Sequence, residues 1–183
     1  MAKMSDSQRI AELYDRVEIQ TVIAELLRAI GARNSVTVAE LVLPDANVLM
    51  YLNKNGTRVL NKQPMSGADM VTFIRDHYAP YAPGEWGHVM NTDTIIKVNG
   101  SNASYSGQLI YLRSASDPEP LGGYPEKPLK ETKSLGTVTV TGCGLYEMQL
   151  KKVSNAWKIS EVSAIVDLPW PWPKNDPLAH RDH

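Results

Sequence analysis

The chain has 183 residues, is 43% hydrophobic and carries a formal net charge of −1, the make-up of one globular domain large enough to build its own core. No Lys/Arg run exceeds two and no apolar run approaches the roughly 20 residues of a membrane span, so neither a nucleic-acid footprint nor a membrane anchor is expected. The single cysteine, Cys143, rules out an internal disulfide or a Cys-rich metal site, and the opening Met1–Asp6 has no apolar signal core, which makes a cytoplasmic protein the expectation.

The first predicted element is a helix capped by Ser5 or Ser7, with Asp6 suited to the positive end of its dipole. Ile10, Leu13 and Val17 recur at helical spacing, followed by Ile19, Val22, Ile23, Leu26, Leu27 and Ile30. At about 100° per residue, 19, 22, 23, 26 and 30 form one stripe, and Gly31 stands where a C-cap glycine would end the helix. A short second helix is predicted from Ser35 to Leu41, stopped by Pro44-Asp45. Asn47–Leu52 reads as a strand, Lys54-Asn55-Gly56 as a hairpin turn, and Thr57–Leu60 as the return strand. Ser66-Gly67-Ala68 opens a third helix, Ala68–Tyr78, with Met70, Phe73 and Ile74 as its apolar stripe.

The rest is strand. Trp86–Val98 alternates and ends at Asn99-Gly100, Ala103–Leu112 returns as a hairpin, and Asp117–Pro128 reads as an exposed Pro/Gly-rich loop. Thr137–Val153, bulged near Gly142-Cys143-Gly144, turns at Ser154-Asn155 into Trp157–Val166. The tail that follows holds Trp170 and Trp172 between prolines and is expected to run extended. Helices ahead of a mostly antiparallel sheet indicate an α+β fold. The predicted architecture is one domain over 1–168, a curved sheet wrapped around the N-terminal helices, followed by a Pro/Trp-rich arm over 169–183.

Four local patterns, in this order and spacing, resemble the nuclear transport factor 2-like superfamily, in particular its SnoaL-like branch. They are Asp15-Arg16-Val17-Glu18-Ile19; Ser66-Gly67-Ala68; His88-Val89-Met90-Asn91 followed by Val98-Asn99-Gly100-Ser101-Asn102-Ala103; and Gly144-Leu145-Tyr146-Glu147 with Trp157-Lys158-Ile159. The resemblance covers roughly residues 10–166. It implies a cystatin-like cone, an α+β barrel with a pocket, usually assembled as a dimer or trimer of identical chains. It also implies that the arm covers the pocket mouth or packs on a neighbouring subunit. Members of that superfamily include ketosteroid isomerases, scytalone and bile-acid dehydratases, lindane dehydrochlorinase and cofactor-free lyases, beside many that only bind, so the fold leaves the function open.

His88 is the foremost candidate. It shares one strand face with Trp86, Met90 and Thr92, and the resemblance implies a histidine that faces the pocket and moves a proton, a role suited to its near-neutral pKa. The competing reading is a core or interface histidine. In the dehydratase-like relatives a carboxylate near the end of the first helix orients the histidine; here that place falls at about Gly31. Asp15 or Glu25 could substitute, Arg33 could bind an oxyanion, or the pocket could bind without reacting. Glu25 and Arg28 also read as a solvated pair, and Asp15 as a structural helix residue.

Eight tyrosines stand against one phenylalanine. Tyr51, Tyr105, Tyr111 and Tyr146 occupy strand positions that could face a cavity, where a phenol can hold a carbonyl or a developing oxyanion; the alternative is packing with hydroxyls reaching solvent. Asn91 and Gln108 are the expected polar partners in the substrate site, with Trp86 on its wall. No metal motif, GxGxxG or P-loop occurs, so neither a metal nor a nucleotide cofactor is expected.

The leading expectation is a cofactor-independent lyase or isomerase acting on an apolar, aromatic small molecule by proton transfer. Dehydration and C–C cleavage with loss of formaldehyde are both open, with His88, Tyr51, Tyr105 and Asp15 as catalytic groups. The alternative is a non-enzymatic small-molecule-binding or oligomeric interaction module. An open cavity lined by His88 and at least two tyrosine hydroxyls would favour the enzyme; a cavity filled by side chains would favour the binder.

Overall fold

The computed structural model describes residues 4–61, 63–77, 81–116 and 136–167. The loop expected over Asp117–Pro128 and the arm with Trp170 and Trp172 lie outside them.

Helix α1 runs Asp6–Ala32 and is opened by a capping box in which Ser5 and Gln8 satisfy each other's backbone amides. It ends two residues later than its glycine suggests. Arg33 takes the left-handed cap conformation (φ 58°) and bonds back to Ala29 and Ile30, while Gly31 stays inside the helix and is buried. Helix α2 (Ser35–Leu41) is capped by Asn34, whose side chain accepts from the Thr37 amide at 3.2 Å.

Strands β1 (Val42–Lys54) and β2 (Thr57–Leu60) form the expected hairpin, with Asn55 and Gly56 both at positive φ (52° and 79°) as a primed two-residue turn requires. Pro44 falls inside β1, in the irregular stretch between Val42 and Asn47, where no ladder amide is needed. Strand β3 (Met65–Ser66) and helix α3 (Gly67–His77) follow; Ser66 and Asp69 cap α3 reciprocally. Strands β4 (Glu85–Asn99), β5 (Asn102–Ser116), β6 (Gly136–Val153) and β7 (Ala156–Val166) complete the chain.

The described strands form a seven-stranded sheet in the order β2-β1-β7-β6-β5-β4, with β3 beside β1. Only β1 and β7 run parallel. The bulge predicted near Gly142 sits one residue earlier: Tyr111 faces Gly142 and Leu112 faces Val140, leaving Thr141 unpaired.

Side-chain alternation sorts the sheet into two faces. Ala103, Tyr105, Leu109 and Tyr111 of β5, Tyr146, Met148 and Leu150 of β6, and Val162 and Ala164 of β7 point inward, where Ile19, Ile23, Leu26 and Leu27 of α1 meet them. The first half of α1 behaves differently. Val17 and Ile19 are separated by about 200° on the helix, so Ile10, Leu13, Tyr14 and Val17 point away from the core and are 54–70% exposed. The outer sheet face is also partly apolar, with Trp86, Met90, Ile110, Val138 and Val140 exposed. No helix among the described residues is long and apolar enough to cross a membrane.

Candidate functional site

Strand β4 is the last in this order, so one of its edges has no strand partner among the described residues, and α1 runs alongside it. Arg16 of α1 donates to the Ile96 carbonyl at 2.7 Å. Fifteen residues further along, Gly31 lies against Gly87: a Cβ on Gly31 would stand 2.9 Å from the Gly87 carbonyl oxygen, and one on Gly87 would stand 3.1 Å from the Gly31 carbonyl oxygen. Two backbones can approach this closely because neither residue carries a side chain.

A groove of about 900 Å³ opens along this seam. Helix α1 supplies Ala24, Leu27, Arg28 and Gly31. Strand β4 supplies Gly87, Val89 and Asn91 from its inner face and Trp86, His88 and Met90 from its outer face. Tyr81, Pro83 and Glu85 complete the wall. Glu85 is ion-paired with Arg113, and that guanidinium holds its carboxyl below the usual carboxylate range. Among the described residues no cluster of three His, Cys, Asp or Glu side chains could hold a metal ion.

Three of the residues singled out from the sequence meet at this groove: Trp86, His88 and Asn91. They do not share a face. His88 is exposed on the outer side, and its Nε2 lies 3.3 Å from Ser114 Oγ. Asn91 is on the inner side and donates from Nδ2 to the Tyr105 hydroxyl at 2.6 Å. The parity that groups Trp86, His88 and Met90 was legible in the sequence, but not which side that parity faces. The inner position opposite the end of α1 belongs to Gly87. Neither Gly31 nor Gly87 brings a side chain to this contact.

Tyr105, Tyr111 and Tyr146 point inward as their strand positions allow, yet they lie in the packed core, each no more than 6% exposed. Tyr111 and Tyr146 share a hydroxyl–hydroxyl hydrogen bond, with rings edge to face at 6.4 Å. Burial pushes the Tyr146 hydroxyl up to about 12 and raises that of Tyr105, the latter opposed by the bond from Asn91. With their pKa values raised, the Tyr105 and Tyr146 phenols stay protonated at neutral pH. The groove's own tyrosine among the described residues is Tyr81.

The remaining candidates fall elsewhere, and their expected places in a common site are corrected accordingly. Asp15 stands near the other end of α1, where its Oδ1 accepts from Lys152 Nζ at 2.6 Å and from Trp157 Nε1 at 3.0 Å. This ties α1 to the β6–β7 hairpin, away from the groove lined by His88. Tyr51 shares the outward parity of Asn47 and Leu49, opposite Leu60 and Ile165. Gln108 lines a separate outer-face depression with Arg58, Ile110, Cys143 and Leu145. Arg33 is close to the groove but engaged: its guanidinium carbon sits 3.6 Å over the Tyr81 ring. Tyr81 and Gly87 escaped sequence reading because Tyr81 lies between prolines with no periodicity and a strand glycine signals a close approach without naming its neighbour.

No family model matches the chain, and no curated protein matches it. Solved structures do, and three from Novosphingobium aromaticivorans are representative. The β subunit of a proposed aromatic-ring-hydroxylating dioxygenase is 12% identical with a TM-score of 0.61, over 87% of this chain and 93% of that one. An NTF2-like protein with a cystatin-like fold is 13% identical with a TM-score of 0.58, over 90% and 92%. A proposed scytalone dehydratase is 10% identical with a TM-score of 0.53, over 86% and 87%. At such identities the likeness speaks to fold alone: the chain has the cystatin-like, NTF2-like α+β fold.

Proposed function

We propose that this protein binds an apolar, aromatic small molecule in the α1–β4 groove, without a histidine–carboxylate pair inside the cone. The observation that carries this reading is the contact between Gly31 and Gly87, which leaves no side chain at either place. The groove is suited to an aromatic ring: Leu27, Val89, Trp86 and Met90 offer apolar surface, and Asn91 and Arg28 offer polar groups that fix orientation. The test is a set of heteronuclear NMR titrations with benzoate, phenol and toluene. Shifts centred on Leu27, Val89 and Asn91 are expected; shifts confined to the outer-face depression around Gln108 would refute it.

A second reading is favoured by His88 and Asn91 lining one groove. In it the protein is a cofactor-independent lyase or isomerase of the dehydratase kind, as the proposed scytalone dehydratase among its structural neighbours suggests. His88 moves the proton from the groove's outer lip, and Asn91 holds a substrate oxygen. Turnover of a bound aromatic alcohol, followed by mass spectrometry and abolished in His88→Ala, would select this reading over simple binding.

We also propose that the chain forms a homo-oligomer through its outward apolar surfaces. Support comes from the Ile10, Leu13, Tyr14, Val17 stripe and from Trp86, Met90, Ile110, Val138 and Val140 on the sheet, since apolar surface gathered in this way marks interaction sites. Light scattering after gel filtration measures the assembly directly; a monomer at high micromolar concentration would refute it.

A further inference from the structure

Tyr81 belongs to no regular element, yet its position is closely defined. A Cβ on Gly87 would overlap the Tyr81 hydroxyl and stand 2.7 Å from its Cζ, with the Gly31 carbonyl oxygen 3.1 Å away. The hydroxyl thus occupies a slot that exists because two facing positions are glycine. The guanidinium of Arg33 lies over the ring at 3.6 Å, a cation–π arrangement that orients the phenol. The hydroxyl makes no hydrogen bond among the described residues, while the residue lines the groove with Arg28 and Val89. A phenol positioned on three sides with its proton uncommitted is a donor in wait of an acceptor.

We propose that Tyr81 is the specificity-determining donor of the groove, and that the ligand it selects is an aromatic molecule carrying an oxygen acceptor, with a carboxylate preferred. This rests on the groove being the binding site. The carboxylate preference follows from Arg28 in the groove wall and Arg33 on the phenol, both of which favour negative charge nearby. The ring lies against Leu27 and Val89, and its oxygen meets the Tyr81 hydroxyl.

The test compares benzoate with toluene on the wild-type protein, Tyr81→Phe and Gly87→Ala, by NMR titration. Tyr81→Phe keeps the ring and the Arg33 contact and deletes the donor. Its benzoate affinity is expected to fall roughly ten- to a hundredfold, the worth of a hydrogen bond to a charged acceptor, while toluene affinity stays within about twofold. Gly87→Ala pushes the hydroxyl out of its slot and is expected to lose benzoate affinity in the same way. Groove shifts with unchanged benzoate affinity in Tyr81→Phe would overturn the role of Tyr81 and leave the groove standing. Absence of groove shifts with any probe on the wild-type protein would overturn the groove reading and this inference together.

Discussion

Asp15→Ala separates a structural from a catalytic role for that carboxylate. In the folded protein one oxygen of Asp15 accepts both the Lys152 ammonium, at 2.6 Å, and the Trp157 indole N–H, at 3.0 Å. Trp157 is 2% exposed, so the variant strands a buried donor at a cost of about 1–3 kcal/mol. The Lys152 side chain is 27% exposed and regains part of its hydration, so losing the ion pair adds about 1 kcal/mol. The expected loss is about 2–4 kcal/mol, or roughly 5–15 °C in Tm for a chain of this size. Urea denaturation and calorimetry measure it, and a double-mutant cycle with Trp157→Phe is expected to show coupling above about 1 kcal/mol. The pH dependence has a definite sign. The bond from Lys152 holds the Asp15 carboxyl below its ordinary value, burial opposing. The pair's contribution is therefore complete above the unfolded Asp pKa of about 3.9 and is lost as pH falls through the lower folded value. Lys152 is raised by the same bond, so on the alkaline side the contribution persists to about pH 10.4 and is lost as pH rises beyond it. Wild type and variant should differ most between about pH 5 and 10 and draw closer in acid, where the ion-linked part is lost. A stability loss below about 0.5 kcal/mol, or one that grows as pH falls below about 4, refutes the reasoning.

Three further outcomes are expected. Gly31→Ala gains about 1 kcal/mol of helix propensity but brings a methyl to 2.9 Å from the Gly87 carbonyl oxygen; overpacking against backbone costs about 1–3 kcal/mol, so net destabilisation in urea is predicted, and a stabilised variant would show that the α1–β4 seam opens freely. Glu147→Gln removes an ion pair with Arg58 whose side chains are 37% and 49% exposed, and is expected to change stability by less than about 0.5 kcal/mol in the same assay. The Tyr146 hydroxyl, raised to about 12 by burial, should stay un-ionised in an ultraviolet titration up to about pH 11; because its folded pKa is the higher one, its contribution is complete below pH 10 and is lost as pH rises towards 12. A tyrosine complement fully ionised by pH 11 in folded protein would contradict the burial.

Much of the fold was legible without coordinates. The periodicity that switches from 3.6 to 2 after Leu41, the Asn55-Gly56 and Ser154-Asn155 turns, and the Ser66 cap are local, and local backbone preference decides them. The inward parity of Tyr105, Tyr111 and Tyr146 was equally readable, because alternation follows from the pleat. The end of α1 was misplaced by its glycine: Gly31 fits a C-cap locally, but the close approach of β4 holds it inside the helix, and Arg33 takes the left-handed position instead.

What the sequence determined by itself, then, is the order of elements and the set of residues that share a face. Only the tertiary structure decided which face turns inward. A strand pattern has two equivalent sides until a helix packs on one of them, and α1 packs on the side of Gly87, Val89 and Asn91, turning His88 outward. The same holds for partnership across distance. Asp15 meets Lys152 and Trp157 across more than 130 residues of chain, and Tyr81 enters the Gly31–Gly87 slot from an irregular segment. Such meetings depend on where the chain returns in space, which no spacing along it records.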